Sequence, residues 1–167
     1  METCEDCGFV WENVGRGEIG PRANAGARAI ADELLAADPA GAVVRPAPDR
    51  WSAVEYAAHV RDVLIIVRDR LVVGLVEDDP GFKPAYRDER LSLGLYRADT
   101  AAALAPEVVA AAAMFSRLFD AIDPARLSRP VRYGFPDPQP RTLLWMGQQV
   151  VHEVEHHRAD IAENLRR

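Results

Sequence analysis

Residues 51–75 read WSAVEYAAHVRDVLIIVRDRLVVGL, and the way this stretch folds decides the rest. Ser52 and Glu55 stand three apart just ahead of an apolar run. That is the spacing of a capping box, in which each side chain satisfies a free backbone N–H at a helix start. No glycine or proline follows until Gly74. The pattern predicts one long helix from 52 to about 75, ended by EDDPGFKP. On it, His59 shares a face with Tyr56, Val63 and Ile66, while Arg61, Arg68 and Asp69 point away. A histidine is therefore expected inside.

The same reading extends outward. A helix is predicted over about 20–37, with Pro21 in its first turn and DPAG after its end. Another covers about 100–122, with Asp99 as its cap and Pro106 as a later start or a kink. Thr142 caps a last helix running to about 165. Residues 81–97 read as irregular, and PVRYGFPDPQPRT (130–142) as a loop or short ribbon. Strand signals are poor elsewhere. Four long helices joined by short connections predict an all-α, antiparallel four-helix bundle, a fold that builds its sites from side chains on facing helices.

Composition narrows the function. The 167 residues are 49% hydrophobic and 28% charged, enough for one domain with a sizeable core. A net charge of −6 argues against a general nucleic-acid binder, which needs a basic surface. The longest apolar run, VLIIV, is far too short to span a membrane. METCEDCGF lacks the basic and apolar regions of a secretory signal, so a cytoplasmic location is expected.

The last helix contains VVHEVEHHRADI (150–161), with three of the four histidines. At about 100° per residue, Leu143, Gly147, Val150, Val154 and Ile161 form one apolar stripe. His157 lies on that stripe and Glu153 at its edge, one turn earlier. His152 and His156 fall on a wetter side with Gln149, Asp160 and Glu163. Residues four apart on a helix can share an ion, which allows Glu153 with His157, or His152 with His156. His59, Glu153 and His157 together match a catalytic ion with three protein ligands and open positions. The same residues also suit a satisfied core histidine beside an ordinary surface Glu–His pair, and spacing alone leaves both readings open.

RWSAVEYAAHVRDVL (50–64) and HEVEHHRADI (152–161) resemble two motifs of the DinB/YfiT-like superfamily of four-helix proteins. These are a W-[ST]-x-x-E-x-x-x-H helix and a closing H/E-x-x-x-H helix. The resemblance covers nearly the whole chain. It implies that His59, Glu153 and His157 hold a divalent ion, often zinc or nickel in that family. Many members carry histidine where Glu153 stands. The mycothiol-dependent maleylpyruvate isomerases, which the chain resembles more distantly, carry glutamate. The rival pair, His152 with His156, would need the helix turned by about a quarter turn. The resemblance further implies a metal-dependent enzyme that activates water or a low-molecular-weight thiol such as mycothiol. It would be a thiol S-transferase or a hydrolase acting on a small molecule, with no nucleic-acid or membrane partner, and a homodimer. The competing class is a non-catalytic small-molecule-binding or structural bundle, with a Cys/His zinc site or no metal. Tyr56 and Gln149 are candidate substrate contacts, or else ordinary core and surface residues.

CEDCGF (4–9) is a second local motif. Residues 1–16 are taken as an N-terminal CxxC segment ahead of a bundle domain at 17–167. A lone CxxC in a reducing compartment is not a disulfide framework. Three readings compete for Cys4 and Cys7: half of a Cys2His2 metal site completed by His152 and His156, a redox pair, or a mobile tail without a site.

Overall fold

In the computed structural model, which describes residues 1–166, the capping box forms as the spacing predicts. Ser52 Oγ accepts the Glu55 N–H at 3.2 Å, and Glu55 Oε2 accepts the Ser52 N–H at 2.9 Å. The helix they start runs Ala53–Val76. Among the described residues it is the third of six α-helices and is called α3. Before it come α1, Arg16–Ala36, and the single turn α2, Pro39–Ala42. After it come α4, Arg87–Ser92, then α5, Ala101–Ala121, and α6, Leu143–Leu165. Strands β1, Pro130–Tyr133, and β2, Gln139–Thr142, pair antiparallel between α5 and α6, so the ribbon reading of 130–142 is the one adopted.

Several expected helix ends shift. α1 begins at Arg16, because Glu18 Oε2 accepts the Gly15 N–H at 2.8 Å and nucleates an earlier turn. Pro21 thus lies inside the helix and leaves the carbonyl of Gly17, an exposed residue, without its helical donor. α5 is capped by Thr100, whose Oγ1 accepts the Ala103 N–H at 3.2 Å. Asp99 instead accepts from Arg61 at 3.1 Å. Pro106 neither starts nor ends α5. Residues 81–97 are not wholly irregular, since they hold α4 and most of a 3-10 turn, Leu95–Ala98.

The four long helices form the bundle. α1 and α3 each pack against both α5 and α6 and barely touch one another, so α1 faces α3, and α5 faces α6, across a diagonal. Directions follow from the contacts. Arg16 reaches the Asp120 and Ile122 carbonyls and Asn24 reaches Ser116, so α1 and α5 are antiparallel. Tyr56 meets His157, and a side chain at Gly74 would meet Leu143, so α3 and α6 are antiparallel too. α1 and α6 run parallel, since Arg22 pairs with Glu155 and Glu33 with Arg158. It follows that α3 and α5 also run parallel. Their connection therefore returns along the bundle's length, and is not the short turn of an up-down-up-down bundle.

Close approach fixes one position. Gly147 lies under the Phe119 ring, where any side chain would collide with Phe119 and Ile19. By length and composition α5 is apolar enough to cross a membrane, a feature the shorter run VLIIV does not reveal. It serves as a core helix here, with Leu104, Val108, Phe115 and Phe119 fully buried in the bundle.

Candidate functional site

The facing surfaces of α3 and α6 bring His59, Glu153 and His157 together. One carboxylate oxygen, Glu153 Oε2, lies 3.2 Å from His59 Nε2 and 3.3 Å from His157 Nε2. The antiparallel pairing puts His59, two turns into α3, opposite the middle of α6. His59 is 6% exposed, and the Glu153 side chain 20%.

Each member is held from behind. His157 Nδ1 donates to Asp160 Oδ2 at 3.0 Å, one turn onward on α6. Gln149 donates its amide to Glu153 Oε1 at 2.7 Å, and Trp11 Nε1 donates to Gln149 Oε1 at 2.8 Å. Trp51 closes the other side: its ring lies edge-on to His59 at 5.5 Å and stacks with His157 at 6.2 Å. Tyr56 stacks on His157 at 5.3 Å. Asp160 was expected on the wetter side of α6 and instead fixes the His157 ring. The three-residue offset from His157 could have revealed it. Trp51 stands in the quoted motif, but nothing in a sequence says which rings a tryptophan will cover.

Charge follows from these contacts. Both His157 nitrogens face carboxylates, so both must donate, which makes His157 an imidazolium. Burial opposes that charge, but the bonds to Asp160 and Glu153 outweigh it and push His157 up to about 9. Burial likewise opposes ionisation of Glu153, and the two histidines override it, holding the carboxyl well below its usual range. A chain of such fixed, polar contacts suits a divalent cation. The two imidazole nitrogens and one carboxylate oxygen lie within 4.8 Å of one another, and a carboxylate behind His157 is the usual support for a ligating imidazole.

A proton linkage follows. The stabilisation that metal-free protein gains from His157 is fully present below its ordinary value near 6.5 and is lost as pH rises through about 9. The stabilisation from Glu153 is present above 4.5 and is lost as pH falls through its lowered value. A cation must displace the His157 proton, so its affinity is expected to climb about tenfold per pH unit below that midpoint. Proton NMR of the metal-free protein should show one imidazole titrating near 9. A midpoint near 6.5 for every histidine would contradict it.

The site opens into a pocket of about 800 Å³, with His59 and Glu153 in its wall. Arg70 lies in the same wall, its guanidinium 5.3 Å from the Phe82 ring and 5.4 Å from the Tyr133 ring. Burial pushes the Tyr133 hydroxyl up, so it stays protonated.

His152 and His156 lie on a separate face of α6. That face is not wet, because residues 3–11 cover it: the Phe9 and Trp11 rings lie 5.2 and 4.8 Å from His152. Nor is the N-terminal segment a free tail. Trp11 is buried, Thr3 bridges Val10, and Glu2 accepts from Trp145 Nε1 at 3.1 Å and from Arg141 at 2.9 Å.

The sequence profile of the DinB superfamily matches residues 23–161. The chain belongs to the DinB superfamily. Among solved structures, YfiT from Bacillus subtilis superposes with a TM-score of 0.81 at 14% identity, over 99% of this chain and 92% of that one. YfiT is described as a probable metal-dependent hydrolase with an unusual four-helix bundle topology. The mycothiol-dependent maleylpyruvate isomerase superposes with a TM-score of 0.73 at 16% identity, over 92% of this chain. The present chain spans only 63% of that isomerase. At such identities the likeness is one of fold. No curated protein matches the sequence significantly. For this DinB chain, α3 and α6 supply the bundle wall, and Trp11 and Asp160 add contacts that the two motif patterns do not specify.

Proposed function

We infer that this DinB protein is a metal-dependent enzyme whose ion is held by His59, Glu153 and His157. One observation carries the reading: two imidazoles meet at a single carboxylate oxygen in the wall of a pocket. Zinc or nickel suits this donor set. When bound, the ion would supply Lewis-acid chemistry, lowering the pKa of water or a thiol.

The chain's own residues do the rest. Asp160 keeps the His157 ring turned so that Nε2 faces the site. Gln149 holds Glu153 Oε1 and leaves Oε2 inward. Trp51 and Tyr56 cover the histidines and limit water. Arg70, braced by two rings, offers a fixed positive charge to an acidic group on the thiol or substrate. The pocket suits a small molecule with room for a second reactant. A low-molecular-weight thiol such as mycothiol fits the reading, with a thiol S-transferase or a hydrolase as the reaction class.

The test uses zinc- or nickel-loaded protein with mycothiol and a model electrophile. With an alkyl halide as that electrophile, the S–C bond should form faster than in buffer as the carbon–halogen bond breaks, halide and the thiol proton leaving to solvent, and the His157→Ala protein should give only the buffer rate. An ester panel without thiol tests the hydrolase class. No acceleration in either assay with any divalent ion would sink the enzyme reading.

A further inference from the structure

Cys4 and Cys7 take no part in the site above, yet the fold does not leave them loose. Residues 3–10 form a tight hairpin: Thr3 bridges Val10, Cys4 N–H donates to the Phe9 carbonyl at 2.8 Å, and Gly8 N–H donates to the Cys4 carbonyl at 2.9 Å. Gly8 sits at φ +73°, the left-handed turn that a residue with a side chain adopts only with strain. The turn brings both cysteines to the face of α6 where His152 and His156 stand one helical turn apart. One ligand atom from each of the four residues lies within 4.8 Å of every other.

The histidines carry the second observation. Among the described residues, both ring nitrogens of His152 are buried without a hydrogen-bond partner, and so is Nδ1 of His156. The nearest carboxylate oxygen to His152, Glu153 Oε1, is 4.0 Å away, beyond hydrogen-bonding reach. His156 Nε2 lies 3.7 Å from Asp160 Oδ2, leaving its Nδ1 as the open donor atom. Burying unpaired imidazoles is costly unless something satisfies them.

We propose that Cys4, Cys7, His152 and His156 bind a second zinc ion in a closed, structural Cys2His2 site that pins the N-terminal hairpin to α6. Two thiolates and two imidazoles give a neutral complex with Zn2+, suited to a partly covered place, and leave no open position for chemistry. Tetrahedral geometry needs ligand atoms about 3.3–3.8 Å apart, so a contraction of roughly 1 Å closes the site. Both thiol protons pass to solvent on binding. The pinned hairpin continues into Trp11, whose indole N–H holds Gln149 and through it Glu153. The second site is therefore a positioning device for the first, but its existence does not depend on the first binding metal.

Protein made without an affinity tag tests this by elemental analysis and by cobalt substitution. The His59→Ala, His157→Ala double variant should keep about one zinc per chain, and the Cys4→Ser, Cys7→Ser variant should lose one relative to wild type. Cobalt-loaded wild type and His59→Ala, His157→Ala protein should both show a thiolate-to-cobalt charge-transfer band, absent from the cysteine variant. The cysteine changes touch only the hairpin, so folding of the bundle is not at stake. The proposal is overturned if the His59→Ala, His157→Ala protein holds no zinc, if the charge-transfer band is missing with both thiols reduced, or if Cys4 and Cys7 form a disulfide in the presence of equimolar zinc. Failure of the first site instead removes only the zinc that depends on His157.

Discussion

Replacing His157 with alanine is expected to lower affinity for a divalent ion at the α3–α6 site by more than about 100-fold. Loss of an outer partner costs a metal site about 10–100-fold, and His157 is proposed as a ligand. Asp160→Asn supplies that lesser case: the ring keeps Nε2 but loses the carboxylate that orients it at 3.0 Å. The expected order of affinity is wild type, then Asp160→Asn, then His157→Ala, read by competition with a chromogenic chelator. The cysteine variant serves as the background, so that zinc at the hairpin does not enter the count. An unchanged affinity in His157→Ala would mean that the meeting of His59, Glu153 and His157 is only a buried ion pair. His157→Ala should also remove the imidazole that titrates near 9 in metal-free protein.

How much of this the sequence could reveal depends on whether a feature is local. The capping box of α3, the Thr142 cap and the apolar stripe of α6 are set by neighbours within one turn, and all three form. The inward aim of His59 and His157 follows from the same periodicity. Helix order around the bundle is not local. That α1 faces α3 across the diagonal depends on the path of the connection through α2, and no periodicity encodes a path. The error at His152 and His156 has the same origin. Their face of α6 is polar by pattern, but it is covered by a hairpin more than a hundred residues away in sequence, brought there by Trp11, Phe9 and Glu2. Asp99 and Thr100 differ for a smaller reason. Either could cap α5, and Arg61 claims the aspartate, leaving the cap to the threonine.

Arg45→Met is expected to destabilise the protein by about 3–5 kcal/mol, because it strands a buried charge. Glu55 is 3% exposed and accepts two bonds from the Arg45 guanidinium, at 2.7 and 2.6 Å, besides the Ser52 N–H. Burial alone would raise the Glu55 carboxyl, and Arg45 together with the Ser52 N–H brings it below its ordinary 4.5. That contribution is present above 4.5 and is lost as pH falls through the lowered value, so wild type and Arg45→Met should converge in stability under acid. Methionine keeps much of the arginine stem's volume, which isolates the charge from the packing. The Arg45→Met, Glu55→Gln double variant should recover part of the loss, since the neutral amide keeps the fit and removes the unpaired charge. Denaturant unfolding of the metal-free protein measures all three. A loss below about 1 kcal/mol in Arg45→Met would show that water reaches Glu55 and that the pair is a surface bridge. The consequence reaches the site, because Glu55 anchors the first turn of α3 and His59 stands one turn beyond it. If Arg45 secures that start, its loss should weaken metal binding as well as stability, although Arg45 touches none of the three proposed ligands.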